Sequence, residues 1–146
     1  MIEIATDTSS LRLSPMGGIT GHLFLRGPAD EFPTNRWSDF PVVVLGWWVS
    51  GLTSLVVGET RSFQGLFMEG PFAFVVERGI GASGRIAWGH RGNEVSIGIV
   101  DTETLLQSAI VAGRRVAEAC RAQSWNSGDL DNLEKAIAQG ERSARS

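Results

Sequence analysis

The chain has 146 residues, with 13 Lys and Arg against 16 Asp and Glu, 18 Gly, five Trp and one Cys. That length suits one domain, and a composition of 42% hydrophobic and 20% charged residues excludes both a disordered chain and a membrane protein. A net charge of -3 argues against a protein that binds nucleic acid by neutralising phosphates, and a lone cysteine excludes a disulfide-stapled fold.

The first third of the chain predicts short strands. Ile2 and Ile4 alternate with polar residues, and apolar residues recur again at 11–13 and at 19–25, which is the period of a half-buried strand. The segment 27–33 contains two prolines and is predicted to be irregular. The first residues carry acids where a secretion signal would be basic, so we expect a cytoplasmic protein.

A helix is predicted to begin near Ser38 and Asp39, either of which can cap it, and Gly58 supplies a stop. Large apolar residues recur at three- and four-residue steps over Trp37–Leu55 and form one face. The opposite side is also apolar and carries Trp47, so this helix must be covered on more than one side. It lacks the unbroken apolar run and basic flanks of a membrane span, and we expect no membrane contact.

The middle of the chain predicts an antiparallel meander. Apolar residues alternate in four stretches, 63–67, 72–76, 86–88 and 95–99, and short glycine-containing turns separate them. Because parallel neighbours need long crossovers, such short connections favour antiparallel pairing.

The last third predicts two helices. Asp101 or Thr102 can cap the first, whose apolar stripe extends to Cys120. Ser127 or Asp129 can begin the second, which is short.

These elements predict a single α+β domain over residues 1–140, in which an antiparallel meander sheet packs against two or three helices. Gly140 is expected to stop the final helix, and residues 141–146 are expected to form a frayed tail.

The residues offer little catalytic chemistry. The glycines over 79–84 match the dinucleotide pattern G-x-G-x-x-G, but the following residues alternate as a strand, whereas that motif requires a helix. Two histidines and one cysteine show no metal-ligand spacing, so we expect no metal and no cofactor. Cys120 is expected to be buried and inert. His90 and Glu69 are the most plausible acid–base pair.

Two segments carry a family resemblance: Phe-Pro-Thr-Asn-Arg-Trp-Ser-Asp-Phe-Pro-Val-Val-Val-Leu-Gly-Trp-Trp over 32–48, and Phe-Met-Glu-Gly-Pro-Phe over 67–72. In these the chain resembles small bacterial immunity-type proteins of polymorphic toxin systems. The resemblance covers roughly residues 20–135, and its motifs are structural. It implies a cytosolic protein that binds a cognate toxin and blocks its active site, and it transfers no residue role.

We therefore expect a non-enzymatic protein-binding domain, an immunity protein that neutralises a toxin. Acidic loops suit a basic, nuclease-like toxin, and an exposed tryptophan suits an anchor. The partner-binding candidates are Asp30, Glu31, Asp39, Trp47, Glu69, Asp101 and Glu103.

Two alternatives stay open. One is a small enzyme or ligand-binding domain with a pocket between sheet and helices, where His90 and Glu69 would act. The other is a structural homodimer built on the tryptophan-rich helix, since large apolar surfaces are often oligomer interfaces.

Overall fold

Eight strands and three helices make up the part of the chain that the structure describes, residues 2–144 of a computed structural model. The strands are β1 (Glu3–Leu13), β2 (Ile19–Arg26), β3 (Glu31–Phe32), β4 (Ser38–Asp39), β5 (Ser62–Leu66), β6 (Phe72–Arg78), β7 (Ser83–His90) and β8 (Val95–Asp101). The helices are α1 (Pro41–Val57), α2 (Thr102–Ala122) and α3 (Gly128–Ala144). The predicted α+β class is confirmed.

The strands form two antiparallel sheets. The first has the order β1-β2-β3, with β4 also pairing with β2, and the second is the predicted meander β5-β6-β7-β8. The prediction of one sheet was incomplete, because the 17-residue helix α1 separates β4 from β5 and both sheets pack around it. The glycine-rich segment 79–84 closes the β6–β7 hairpin, as expected of a turn.

Helix α1 starts later than predicted. Ser38 and Asp39 form β4, and the residue before the helix, Phe40, makes no side-chain cap. Proline at the first helical position needs no donor, which explains why the helix begins at Pro41. Trp37, predicted on the helix face, lies before the helix, whereas the predicted stop at Gly58 is confirmed by its left-handed φ of 88°.

Helix α1 is the centre of the core. It contacts helices α2 and α3 and strands β2 and β5, which buries most of its surface. None of the described helices is long and apolar enough to cross a membrane. The all-round apolar sequence of α1 therefore serves burial between layers of this fold.

Aromatic rings join the two sheets to α1. Phe32 of β3 stacks on Trp88 of β7 with centroids 5.2 Å apart and an interplanar angle of 4°. Trp48 of α1 meets Phe67 and Phe74 edge-on at 5.0 and 4.9 Å. Such edge and offset contacts are worth about 0.5–1.5 kcal/mol each beyond the area they bury.

The C-terminal helices pack on α1. The predicted cap of α2 is confirmed, since Asp101 accepts a hydrogen bond of 2.9 Å from the Thr104 amide. The predicted stop at Gly140 is wrong, because α3 continues to Ala144. A side chain at Gly140 would lie 3.1 Å from Thr53, so this glycine allows α3 to approach α1 closely. Of the tail expected to fray, 141–144 is helical and 145–146 lies outside the described residues.

Candidate partner-binding surface

Asp30 and Glu31 flank the short strand β3. Asp30 is exposed, and its backbone carbonyl accepts a hydrogen bond of 2.9 Å from the Gly27 amide, which closes the turn. Glu31 is half-buried and pairs with Arg26 at 3.2 Å. Of these two predicted acids, Asp30 is the one available to a partner without breaking an ion pair.

Asp39 is buried, with 1% of its surface exposed, so the prediction that it is a surface acid is wrong. Its Oδ1 accepts hydrogen bonds from the amides of Phe40 at 2.8 Å and Met68 at 3.1 Å. Its Oδ2 accepts from Trp37 Nε1 at 3.0 Å and from the Glu69 amide at 3.1 Å. Burial of a carboxylate is costly unless it is hydrogen-bonded, and here four donors satisfy it. The same hydrogen bonds tie β4 to the β5–β6 turn.

Glu69 and His90 are the predicted acid–base pair. Glu69 is exposed at the β5–β6 turn, while the His90 ring packs against Phe72 with centroids 5.1 Å apart. No hydrogen bond or ion pair joins the two side chains in the described part of the molecule. The described structure therefore shows no direct contact in support of this pair, and the pairing stays a prediction.

Asp101 and Glu103 belong to a different surface. Both are exposed and line an open hollow with Val56 at the end of α1 and Leu106 of α2. Asp101 is engaged as the cap of α2, and Glu103 lies in the first helical turn, where a negative charge is stabilised by the helix dipole. These two acids have local roles that need no partner.

Trp47 and its neighbour Trp48 have opposite environments. Trp48 is fully buried, and its Nε1 donates a hydrogen bond of 3.0 Å to the carbonyl of Leu66. Trp47 is 47% exposed. The sequence left open whether the second face of this helix is covered, and the structure leaves Trp47 partly exposed.

Trp47 lies in a hollow of about 200 Å³ between α1 and α3. A second hollow of about 100 Å³ adjoins it and shares the residues Val42, Val43 and Asp129. The second hollow extends to the β1–β2 hairpin and the start of α3. We call the combined area the Trp47 surface; its lining residues are Gly17, Gly18, Ile19, Phe40, Val42, Val43, Gly46, Trp47, Ser50, Ser127, Asp129 and Asn132.

Met16 is an exposed apolar residue next to the Trp47 surface in the sequence, since it directly precedes Gly17. It precedes Gly17 at the tip of the β1–β2 hairpin, where the Ser14 amide bonds to the Gly18 carbonyl at 2.8 Å, and its side chain is 95% exposed. Solvent-exposed methionine is a flexible contact residue at binding surfaces. The sequence analysis did not single out Met16. The pattern that could have indicated it is a large apolar residue flanked by turn residues.

The Trp47 surface carries one charge. Among the described residues that line both hollows, Asp129 alone is charged, and it has no ion pair there. Ser127 caps α3 by accepting a hydrogen bond of 3.2 Å from the Leu130 amide, which fixes Asp129 in the first turn. An apolar surface with one unpaired carboxylate suits a partner that presents a basic group beside apolar side chains.

The described residues hold no cluster suited to metal binding. No group of three or more His, Cys, Asp and Glu side chains among them could hold an ion. Cys120 is buried as predicted, and desolvation raises the pKa of its thiol, an effect that Arg121 partly opposes. A buried thiol with a raised pKa is a poor nucleophile.

Comparison with known proteins gives no relative for this chain: no family model, curated protein or solved structure matches it.

Proposed function

We propose that this chain is a non-enzymatic protein-binding domain that acts through the Trp47 surface. The observation that carries the proposal is the 47% exposure of Trp47, which lines one of two adjoining hollows. Met16, 95% exposed, directly precedes Gly17, which lines the other hollow. Tryptophan is enriched among the residues that dominate binding free energies. Its contribution is largest where the surrounding residues exclude water from it.

The size of the expected effect follows from the exposed area of Trp47. A tryptophan buries about 150–250 Å² in a core or interface, so about half of that, on the order of 100 Å², is left to bury here. At about 25 cal/mol per Å² this area is worth roughly 2.5 kcal/mol. Removal of the ring should therefore weaken a partner complex by one to two orders of magnitude.

The partner class that we propose is a toxin that the chain neutralises as an immunity protein. In support, the chain has a net charge of -3, and the exposed acids Asp30, Glu69 and Asp129 would attract a basic partner. Steering by such charges raises association rates and falls with added salt. A basic, nucleic-acid-cleaving toxin is the partner that this charge distribution fits best.

The test is co-expression with the toxin domain encoded beside the gene. The wild-type chain should restore growth, and titration calorimetry with an inactivated toxin should detect a complex. Trp47→Ala should weaken that complex about 30-fold, for a loss of about 2 kcal/mol. Val57→Ala is the matched control, because Val57 lies on the same helix with 45% of its side chain exposed and outside both hollows.

Three outcomes contradict the proposal. The toxin interpretation fails if no toxin-like gene is adjacent or if growth is not restored. The assignment of the surface fails if Trp47→Ala and Val57→Ala bind equally well. A dimer mass at micromolar concentration that Trp47→Ala converts to a monomer would instead make the Trp47 surface a contact between two copies of the chain.

A further inference from the structure

A further hollow, of about 400 Å³, lies between strand β1 and helix α2. The side that belongs to α2 is formed by residues spaced three and four apart, which therefore share one helix face. These residues are Thr104, Gln107, Ser108, Val111, Ala112 and Arg115. None of the residues that line this hollow belongs to the Trp47 surface, so we name it separately as the β1–α2 cleft.

The opposite side of the β1–α2 cleft is the free edge of β1. This strand pairs with β2 on its other edge only, and the Ile4 amide on the free edge donates a hydrogen bond of 2.8 Å to Ser108 Oγ. That bond ties strand to helix and engages the Ile4 amide, which is then not free to pair with an added peptide strand. The cleft is therefore shaped for a small molecule.

The two arginines that line the β1–α2 cleft differ in their ion pairing. Arg26 is neutralised by Glu3 at 2.9 Å and by Glu31 at 3.2 Å. Arg115, at the far end of the α2 face, forms no ion pair or hydrogen bond within residues 2–144. A protein of net charge -3 thus presents one unpaired guanidinium in this cleft.

The remaining lining of the cleft is partly apolar and partly neutral. Ile2, Val111 and Ala112 supply apolar surface, and the neutral side chains of Thr6, Thr104 and Gln107 supply hydrogen-bonding groups. A guanidinium binds a carboxylate through two parallel hydrogen bonds. Because the other polar groups named here are neutral, the cleft favours a carboxylate with one charge over a dianion such as phosphate.

We propose that the β1–α2 cleft binds a small organic carboxylate with an apolar body, its carboxylate on Arg115 and its body against Val111 and Ala112. This site is independent of the Trp47 surface, so neither proposal depends on the other. It also places a ligand pocket between sheet and helix without His90 or Glu69.

The test is a titration of ¹⁵N-labelled full-length protein with hydrocinnamate, followed by amide chemical shifts. Hydrocinnamate should shift amides over 3–6 and 107–115 and bind with a dissociation constant of about 1 mM or tighter. The uncharged hydrocinnamamide and inorganic phosphate are the two comparison probes. The amide lacks the negative charge and phosphate lacks the apolar body. Each should therefore bind at least about tenfold more weakly than hydrocinnamate.

Variants at exposed positions keep the fold while removing the contact. Arg115→Gln should weaken hydrocinnamate binding about tenfold, whereas Arg85→Gln, an exposed arginine on β7 outside the cleft, should leave it unchanged. Val111→Glu should also weaken binding, because it replaces apolar surface with a carboxylate that repels the ligand carboxylate and pairs with Arg115 four residues on.

The proposal is overturned if hydrocinnamate shifts no amide of the cleft at millimolar concentration. It is equally overturned if the amide or phosphate binds as tightly as the carboxylate, or if Arg115→Gln behaves like Arg85→Gln.

Discussion

Asp39 offers the sharpest test of how this fold is held together. Each of its oxygens accepts two hydrogen bonds: Oδ1 accepts from the amides of Phe40 and Met68, and Oδ2 accepts from Trp37 Nε1 and the Glu69 amide. In Asp39→Asn one oxygen becomes an NH2 group. Whichever way the amide is oriented, two of the four donors lose their acceptor.

The expected loss of stability follows from that geometry. A donor left without an acceptor costs about 1–1.5 kcal/mol, so we expect Asp39→Asn to lower the free energy of unfolding by about 2–3 kcal/mol. Asp39→Ala removes both oxygens and all four hydrogen bonds, and we expect a loss of about 4 kcal/mol. With a urea m-value of about 2 kcal/mol per molar, the Asn variant should unfold at about 1 M less urea.

Urea titration followed by far-ultraviolet circular dichroism measures this difference. Asp30→Asn is the control, because Asp30 is an exposed acid nearby whose side chain makes no hydrogen bond in the described structure. Its free energy of unfolding should stay within about 0.5 kcal/mol of the wild type. If Asp39→Asn and Asp30→Asn unfold at the same urea concentration, the four hydrogen bonds do not anchor β4 as argued.

Two further predictions concern the core. Gly46→Ala in α1 should raise stability by up to about 1 kcal/mol, because the new methyl would lie 3.8 Å from Leu133 and alanine favours a helix. Gly51→Ala in the same helix should lower the free energy of unfolding by about 1–3 kcal/mol, since its methyl would lie 2.0 Å from the Phe63 ring. Thermal unfolding compares the two variants, and equal midpoints would refute this prediction. The Cys120 thiol, buried and with its pKa raised by desolvation, should react with a disulfide reagent only as the protein unfolds, so a urea-independent reaction rate would contradict its burial.

Local signals account for what the sequence predicted well. The β5–β8 meander follows from alternation and short turns, both of which lie within a few residues of each strand. The cap at Asp101 likewise needs only the amide of Thr104, three residues on. The surplus of apolar residues around α1 marked Trp47 as a candidate anchor but left open whether it is exposed.

Contacts between distant segments account for what the sequence could not predict. Asp39 was expected at the surface as a loop acid and a helix cap, but its partners Met68 and Glu69 lie 29 and 30 residues further along the chain. Gly140 was predicted to stop α3 because glycine often ends a helix. In the fold the helix continues, and this glycine instead permits close packing of α3 against α1. The Trp47 surface draws on three separate segments of the chain, so no local pattern brings Gly17, Trp47 and Asp129 together.

The position of α1 at the centre of the core also governs how this protein can evolve. Most of its side chains are fixed by neighbours on several sides, so change there disturbs the fold. Val43, Trp47 and Ser50 form a strip that is half-buried or exposed on the same helix. Under the proposed function, substitutions along that strip would alter which partner is bound while the buried side of α1 stays intact. One helix thereby separates the positions that preserve the fold from the positions that can diversify.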